Sequence, residues 1–441
     1  MVTVLLLLTV TVVVAQDYLA EQQAKRDAKY AAAEEALNPI KQQEVDALLA
    51  GQTKALKDRD EKAFLATFDP AYAKLVNQQR SLFRNLVKVP FAEATFKRLG
   101  GGSAVKPLGT GASFTQRVAF VHKIDGFDLH PVDEQYDWTI ARTEKGAPLK
   151  VTAVKGNTSD WGAATYYPAP WDKWRDIHVE RTEHTLFIVN ASLKSQARRY
   201  APQAERAAAA NLDAWRAGGV SGEIPQGFVI SLVKGKKDLG SLYRVAKEPP
   251  PEAGFSWGVP RYQDIDASTD EKAPDTGGSR VVIDLASPFF RPSERSGPGE
   301  IFRHELAHSL VTALAAQQPD SVVPRESWVV EGFAEYLGNE RKPWTASPRT
   351  ASAKQSLRSG YSVSLKPEFN MANGESANLS YWCGHSAIGY IVEKYGERKA
   401  FEVVAAHYRG KELKDALPDV LGVSYPDFTT SWEAYVMAKI R

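Results

Sequence analysis

The chain has 441 residues, 43% hydrophobic and 24% charged, with ten Trp and a formal net charge of +2. That length exceeds one ordinary core and predicts two or three domains, and the composition excludes a disordered or fibrous chain. The near-zero charge, with basic residues scattered along the chain, gives no electrostatic case for nucleic acid. The single Cys383 excludes an intramolecular disulfide and a cysteine-built zinc cage.

Residues 1–15 (MVTVLLLLTVTVVVA) carry no charge. As a helix they would span about 22 Å, short of the roughly 30 Å hydrocarbon core. The stretch reads as the apolar part of a signal peptide, with Val13-Val14-Ala15 as a small-residue cleavage site, or as the inner part of a membrane anchor. Either reading places the protein in the cell envelope or outside the cell, touching the membrane through this segment if it is not cleaved. Residues 16–39, rich in Ala, Glu, Gln and Lys, read as a helical linker ended by Asn38-Pro39.

Residues 40–155 read as a separate unit. Val45, Leu48, Leu49, Leu56, Phe64, Leu65 and Phe68 recur at helical spacing and predict a helix over 42–68 with a break near Asp58–Asp60. Leu75, Leu82, Phe83, Leu86 and Val87 predict a second helix. The period then shortens, and strands are expected at Phe91–Leu99, Ser113–Ile124, Gln135–Ile140 and Leu149–Val154, separated by glycine turns. Two helices followed by an antiparallel meander resemble the cone-shaped NTF2-like domains, which implies an accessory scaffold or a small-ligand cone. His122 and His130 read as core or surface histidines. The connector 156–180 carries Trp161, Trp171 and Trp174, expected to pack an interface.

From 181 to 441 the order is α+β, a small sheet first and helices after it. Strands are expected at Thr185–Val189, Phe228–Val233 and Arg280–Leu285, with a Pro- and Asp-rich loop over 247–278. Helices are expected at Gln203–Ala217, 299–316, 327–339 and Ala387–Tyr395. His304-Glu305-Leu306-Ala307-His308 lies on the third of these predicted strands' following helix. Residues i and i+4 share a helix face, so His304 and His308 can present two imidazoles to one ion. Zinc suits imidazole nitrogen and in catalytic sites takes three protein ligands. Glu305, one residue on, can reach a water beside the ion without ligating it. The rest of the helix is apolar (Ile301, Phe302, Leu306, Leu310, Val311), so the histidines border a buried face. A third ligand is expected from a returning helix, where Glu331 follows His308 by 23 residues. Gly332 and Ala334 are small enough for close approach to the first helix. Glu335, one turn past Glu331, can accept a hydrogen bond from the far nitrogen of a ligating His.

These two segments together, His304-Glu305-x-x-His308 and Trp328-x-x-Glu331-Gly332-x-Ala334-Glu335-Tyr336, resemble the gluzincin zinc peptidases, the group of thermolysin and the zinc aminopeptidases, and bacterial peptidase MA-like proteins. The resemblance covers about 181–441. It implies a thermolysin-like catalytic domain, Zn²⁺ held by His304, His308 and Glu331, and Glu305 as general base acting on a peptide or protein substrate. It also implies an oxyanion donor downstream, for which Tyr381 fits best, with His385 in reserve, in Tyr381-Trp382-Cys383-Gly384-His385. The aminopeptidase glutamate upstream of the His helix has no counterpart in Val281–Pro288, so exopeptidase specificity is not implied. The His308-to-Glu331 spacing predicts a longer inter-helix loop, Gln317–Glu326. The strand Arg280–Leu285 is expected to pair with an extended substrate. Two other readings stay open: an envelope-attached ligand-binding or scaffold protein using the NTF2-like cone, and a zinc hydrolase of non-peptide amides or esters.

Overall fold

The computed structural model describes residues 22–26, 29, 40–157, 167–242, 253–263, 276–290, 297–315, 325–365 and 374–440. The apolar stretch 1–15 and most of the linker 16–39 lie outside these, although residues 22–26 are helical as expected. Among the described residues, no helix is long and apolar enough to cross a membrane. The fold is α+β, with two five-stranded sheets and a helical C-terminal part.

The N-terminal unit begins with α1 (Gln42–Lys57), α2 (Glu61–Ala66) and α3 (Ala73–Leu86). The break foreseen near Asp58–Asp60 is real. Arg59 adopts a positive φ of 56°, and the Asp60 carboxylate then accepts from the Ala63 amide to cap α2. Strands β1 (Phe91–Gly102), β2 (Lys106–Leu108), β3 (Gly111–Ile124), β4 (Val132–Arg142) and β5 (Lys150–Gly156) form an antiparallel sheet in the order β1-β3-β4-β5, with β2 on β3. Its helix-facing interior is filled by rings. Phe91, Phe96, Phe120, His122, Trp138 and Trp171 pack with neighbouring centroids 5.0 to 5.6 Å apart. His122 is a core histidine, fully enclosed and 2.9 Å from Glu134, and burial pushes it down to about 3, so it stays neutral.

The connector is structured. Trp171 sits on the short helix α4 (Pro170–Lys173) and packs against Phe91 and His122 of the N-terminal unit. Trp161 lies outside the described residues. The Asn85 side chain donates to the carbonyls of Trp171 and Trp174 and accepts from the Ile177 amide, tying α3 to the connector.

The second sheet runs β6 (Ile177–Arg181), β7 (Thr185–Asn190), β8 (Phe228–Val233), β10 (Thr276–Asp284), β9 (Gly254–Pro260). β7, β8 and β10 are parallel, while β6 and β9 are antiparallel edges. Helix α5 (Lys194–Gly218) connects β7 to β8 and ends at Gly219, whose φ of 64° suits the left-handed cap. Short α6 (Lys236–Ser241) follows β8. The central strands are apolar on both faces because both are covered. Leu186, Ile188, Val229 and Val282 join the core of the N-terminal unit. Phe187, Ile230, Val281 and Ile283 join the core of the helices. The sheet is therefore the middle layer between the N-terminal unit and the helices.

Three expectations change here. The 247–278 loop contains a strand, β9, and β6 begins inside the predicted connector. The strand expected to receive substrate, Arg280–Leu285, is β10, and it is paired on both sides, so its backbone has no open edge. The edge is β9.

The helical part comprises α7 (Pro298–Thr312), α8 (Ser327–Gly338), α9 (Thr350–Arg358), α10 (Gly374–Tyr395), α11 (Glu397–Tyr408), α12 (Leu413–Leu421) and α13 (Tyr425–Ile440). Most of the predicted loop between α7 and α8 lies outside the described residues. α10 starts far upstream of the predicted Ala387, so Tyr381 and His385 lie within the helix and not in a segment leading to it.

Candidate metal centre

α7 begins with Pro298 at its first turn and carries both histidines. It lies along β9 because β9 turns small residues toward it. A Cβ on Gly254 would meet the Glu305 side chain at 3.0–3.1 Å, and one on Gly258 would meet Thr312 at 2.6 Å. Between them, Ser256 and Ser309 share a hydroxyl hydrogen bond of 2.7 Å. The alternation Gly254, Ser256, Gly258 is a strand period with small residues on one face. It was a readable signal for an edge strand under a helix.

The two imidazoles converge, with His304 Nε2 and His308 Nε2 3.2 Å apart. Glu331 Oε2, arriving on α8, lies 3.3 Å from each. Three donors at these separations form one face of a tetrahedron whose centre sits about 2.0 Å from every corner, the usual zinc–nitrogen and zinc–oxygen length. The donor chemistry and the spacing both fit zinc. Burial would raise the Glu331 carboxyl, but the two imidazoles outweigh it and hold it down to about 2. Glu305 is 7% exposed on the same helix. Burial pushes its carboxyl up and the neighbouring imidazoles pull it part of the way back.

Glu335, 2% exposed, lies behind the metal face. Its Oε1 is 3.3 Å from His304 Nδ1, and it also receives Arg349. Burial would raise this carboxyl, yet the Arg349 and His304 charges hold it well below the usual carboxylate range. The small residues of α8 divide their work differently from the expectation. Gly332 does not approach α7. A Cβ there would lie 2.4 Å from the Gly384 carbonyl oxygen, so it lets α8 cross α10. Gly338 faces α7, beside His304.

Tyr381 reaches the site from α10, its ring centroid 5.9 Å from that of His304. His385, one turn on, is fully buried and packs 6.3 Å from the Tyr336 ring. Burial pushes the Cys383 thiol up to about 12, in keeping with a packing residue. A second His/Glu group, Glu183, His184 and Glu205, also converges. There Glu205 accepts from the His184 amide and ring and from Thr182, which fastens the β6–β7 turn to α5.

Residues 296–438 match the family model of the Peptidase MA superfamily. The match takes in α7, α8 and α10, and so the whole converging constellation, over about a third of the chain. It supports a metallopeptidase-type hydrolase and is consistent with the gluzincin resemblance. It does not extend to the N-terminal unit, where the NTF2-like likeness rests on the order of elements alone. No curated protein matches the chain.

Proposed function

We propose that the chain is a zinc-dependent peptidase with His304, His308 and Glu331 as ligands, Glu305 as general base and Tyr381 as oxyanion donor. The observation that carries this reading is the meeting of three donors at 3.2 to 3.3 Å on two crossing helices, with an enclosed carboxylate beside them. Zinc, when bound, lowers the pKa of a water and polarises the scissile carbonyl. Glu305 takes the proton from the attacking water and delivers it to the leaving amine. Glu335 keeps the His304 ring oriented. Tyr381 donates to the oxygen that gains charge. An extended peptide adds to the outer edge of β9, which among the described residues pairs only with β10. The ring-filled interior of the N-terminal unit favours a scaffold role over a ligand cone. The apolar stretch 1–15 supports export or anchoring.

The test is metal content followed by a substrate profile. Purified protein should carry about one zinc per chain, and His304→Ala should lose it. Wild-type protein that neither holds nor takes up zinc would overturn the reading. Internally quenched peptides should be cleaved; turnover confined to esters or non-peptide amides would move the enzyme to another hydrolase class.

The β9 contact gives a second expectation. Gly254→Ala should keep its zinc but displace Glu305, lowering kcat by roughly 10- to 100-fold. Unchanged kcat in the zinc-loaded variant would show that the strand does not set the position of the base.

A further inference from the structure

Arg349 enters the site from the turn that precedes α9 and makes three separate contacts there. Its Nε and Nη2 donate to the two oxygens of Glu335 at 3.0 and 3.2 Å. Its Nη1 donates to Asn378 Oδ1 at 2.5 Å. Its guanidinium carbon lies 4.4 Å from the centroid of the Tyr381 ring. Glu335 belongs to α8, whereas Asn378 and Tyr381 are one turn apart on α10. One planar cation thus joins the carboxylate behind His304 to the ring expected to serve the oxyanion.

We propose that Arg349 is a positioning residue of this site, fixing Glu335 against His304 through its fork and holding the Tyr381 ring by stacking. The inference rests on the zinc-peptidase reading above. A bidentate fork sets the carboxylate's plane as well as its place, which a lysine ammonium cannot do. Without it, the polar contacts left to Glu335 are His304 and a 3.4 Å bond from Asn339, so the imidazole loses a firm partner. Stacking of the guanidinium on the ring face restricts the Tyr381 side chain. Among the described residues the arginine side chain meets Glu335, Asn378 and Tyr381 and none of the three metal donors, so it acts through Glu335 and Tyr381.

The experiment compares wild type, Arg349→Met, Arg349→Lys, Tyr381→Phe and the Arg349→Met/Tyr381→Phe double variant. Zinc affinity is read by competition with a chromogenic chelator, and kcat and KM are read on one quenched peptide that the wild type cleaves. Folding is checked by circular dichroism. Arg349→Met is expected to bind zinc about 10- to 100-fold more weakly, as loss of an outer partner of a ligating histidine does. With zinc saturating, its kcat should fall while KM stays within about twofold, because what is lost is orientation of groups used in the transition state. In the double variant the kcat losses should combine to less than their product, since both changes remove the same placed hydroxyl. Arg349→Lys keeps the charge and the stem, so it should fold even if the methionine variant does not, and it should still bind zinc more weakly than wild type. Wild-type zinc affinity and kcat in folded Arg349→Lys or Arg349→Met would overturn the proposal. So would fully multiplicative losses in the double variant. A wild-type protein without zinc would instead overturn the reading on which the proposal rests.

Discussion

Replacing Glu305 with Gln is expected to leave zinc at about one per chain and to lower peptide turnover by about 10²- to 10⁴-fold. The two halves of this result have separate causes. The proposed ligand set is His304, His308 and Glu331, and their donor atoms meet without Glu305. The amide has the size and shape of the carboxyl, so the packing against Gly254 survives. What disappears is a basic oxygen. Glu305 is enclosed by β9 on one side and follows the first ligand directly, so no other carboxylate of the motif shares its position. Burial raises its carboxyl and the imidazole charges restrain that rise, which suits a group that must first accept a proton and then give it up. The measurement is zinc content and kcat/KM on the same preparation. Turnover within tenfold of wild type in zinc-loaded Glu305→Gln would remove Glu305 from the mechanism.

The convergence of His304, His308 and Glu331 was legible because its signals are local. His304 and His308 need only a helix and the i, i+4 rule, and the helix was announced by its apolar run. Glu331 was legible because the Trp328–Tyr336 segment is itself a short helix with the acid on the correct turn. The elements that were missed are those whose sequence is shaped by a neighbour. β9 reads as Gly-Phe-Ser-Trp-Gly-Val-Pro and lacks the β-branched run of a strand, because α7 lies against it and admits only small side chains on that face. The middle of α10 contains Gly384, and Gly389 follows, both poor helix formers. Gly384 is there for the crossing with Gly332, and a Cβ on Gly389 would come within 2.8 Å of the Trp344 ring. The helix expected at Gln203–Ala217 is longer, and α5 runs from Lys194 through Pro202, a residue that breaks helices in isolation. In each case tertiary packing overrode a correct local preference. The role of Arg349 was invisible for a related reason, since nothing in Ser-Pro-Arg-Thr marks an arginine that folds back onto a helix 14 residues earlier.

Removing Asp128 is expected to destabilise the chain by about 3–5 kcal/mol, because it strands a buried arginine. Arg280 lies in the middle of β10 and is 1% exposed. Its Nη1 and Nη2 donate to the two oxygens of Asp128 at 2.6 and 3.1 Å, across the join between the N-terminal unit and the central sheet. The site is built for this pair. The Ile124 amide donates to the same carboxylate, and a Cβ on Gly278 would sit 2.1 Å from it, so only glycine leaves room. Glu134 is close enough to feel Arg280, but burial pushes its carboxyl well up, which opposes its ionising in place of Asp128. Asp128→Ala should therefore show a clear drop in thermal and urea midpoints. The double variant Asp128→Leu/Arg280→Met should recover most of that drop, since apolar groups of similar volume can substitute for a buried pair. A midpoint for Asp128→Ala equal to wild type would mean that water reaches the pair. The same join bears on how the chain can be divided. Leu186, Ile188, Val229 and Val282 of the central sheet share one buried cluster with the N-terminal unit. A fragment beginning at 181 would expose that face together with the Arg280 charge, and it should aggregate although it holds every proposed catalytic group.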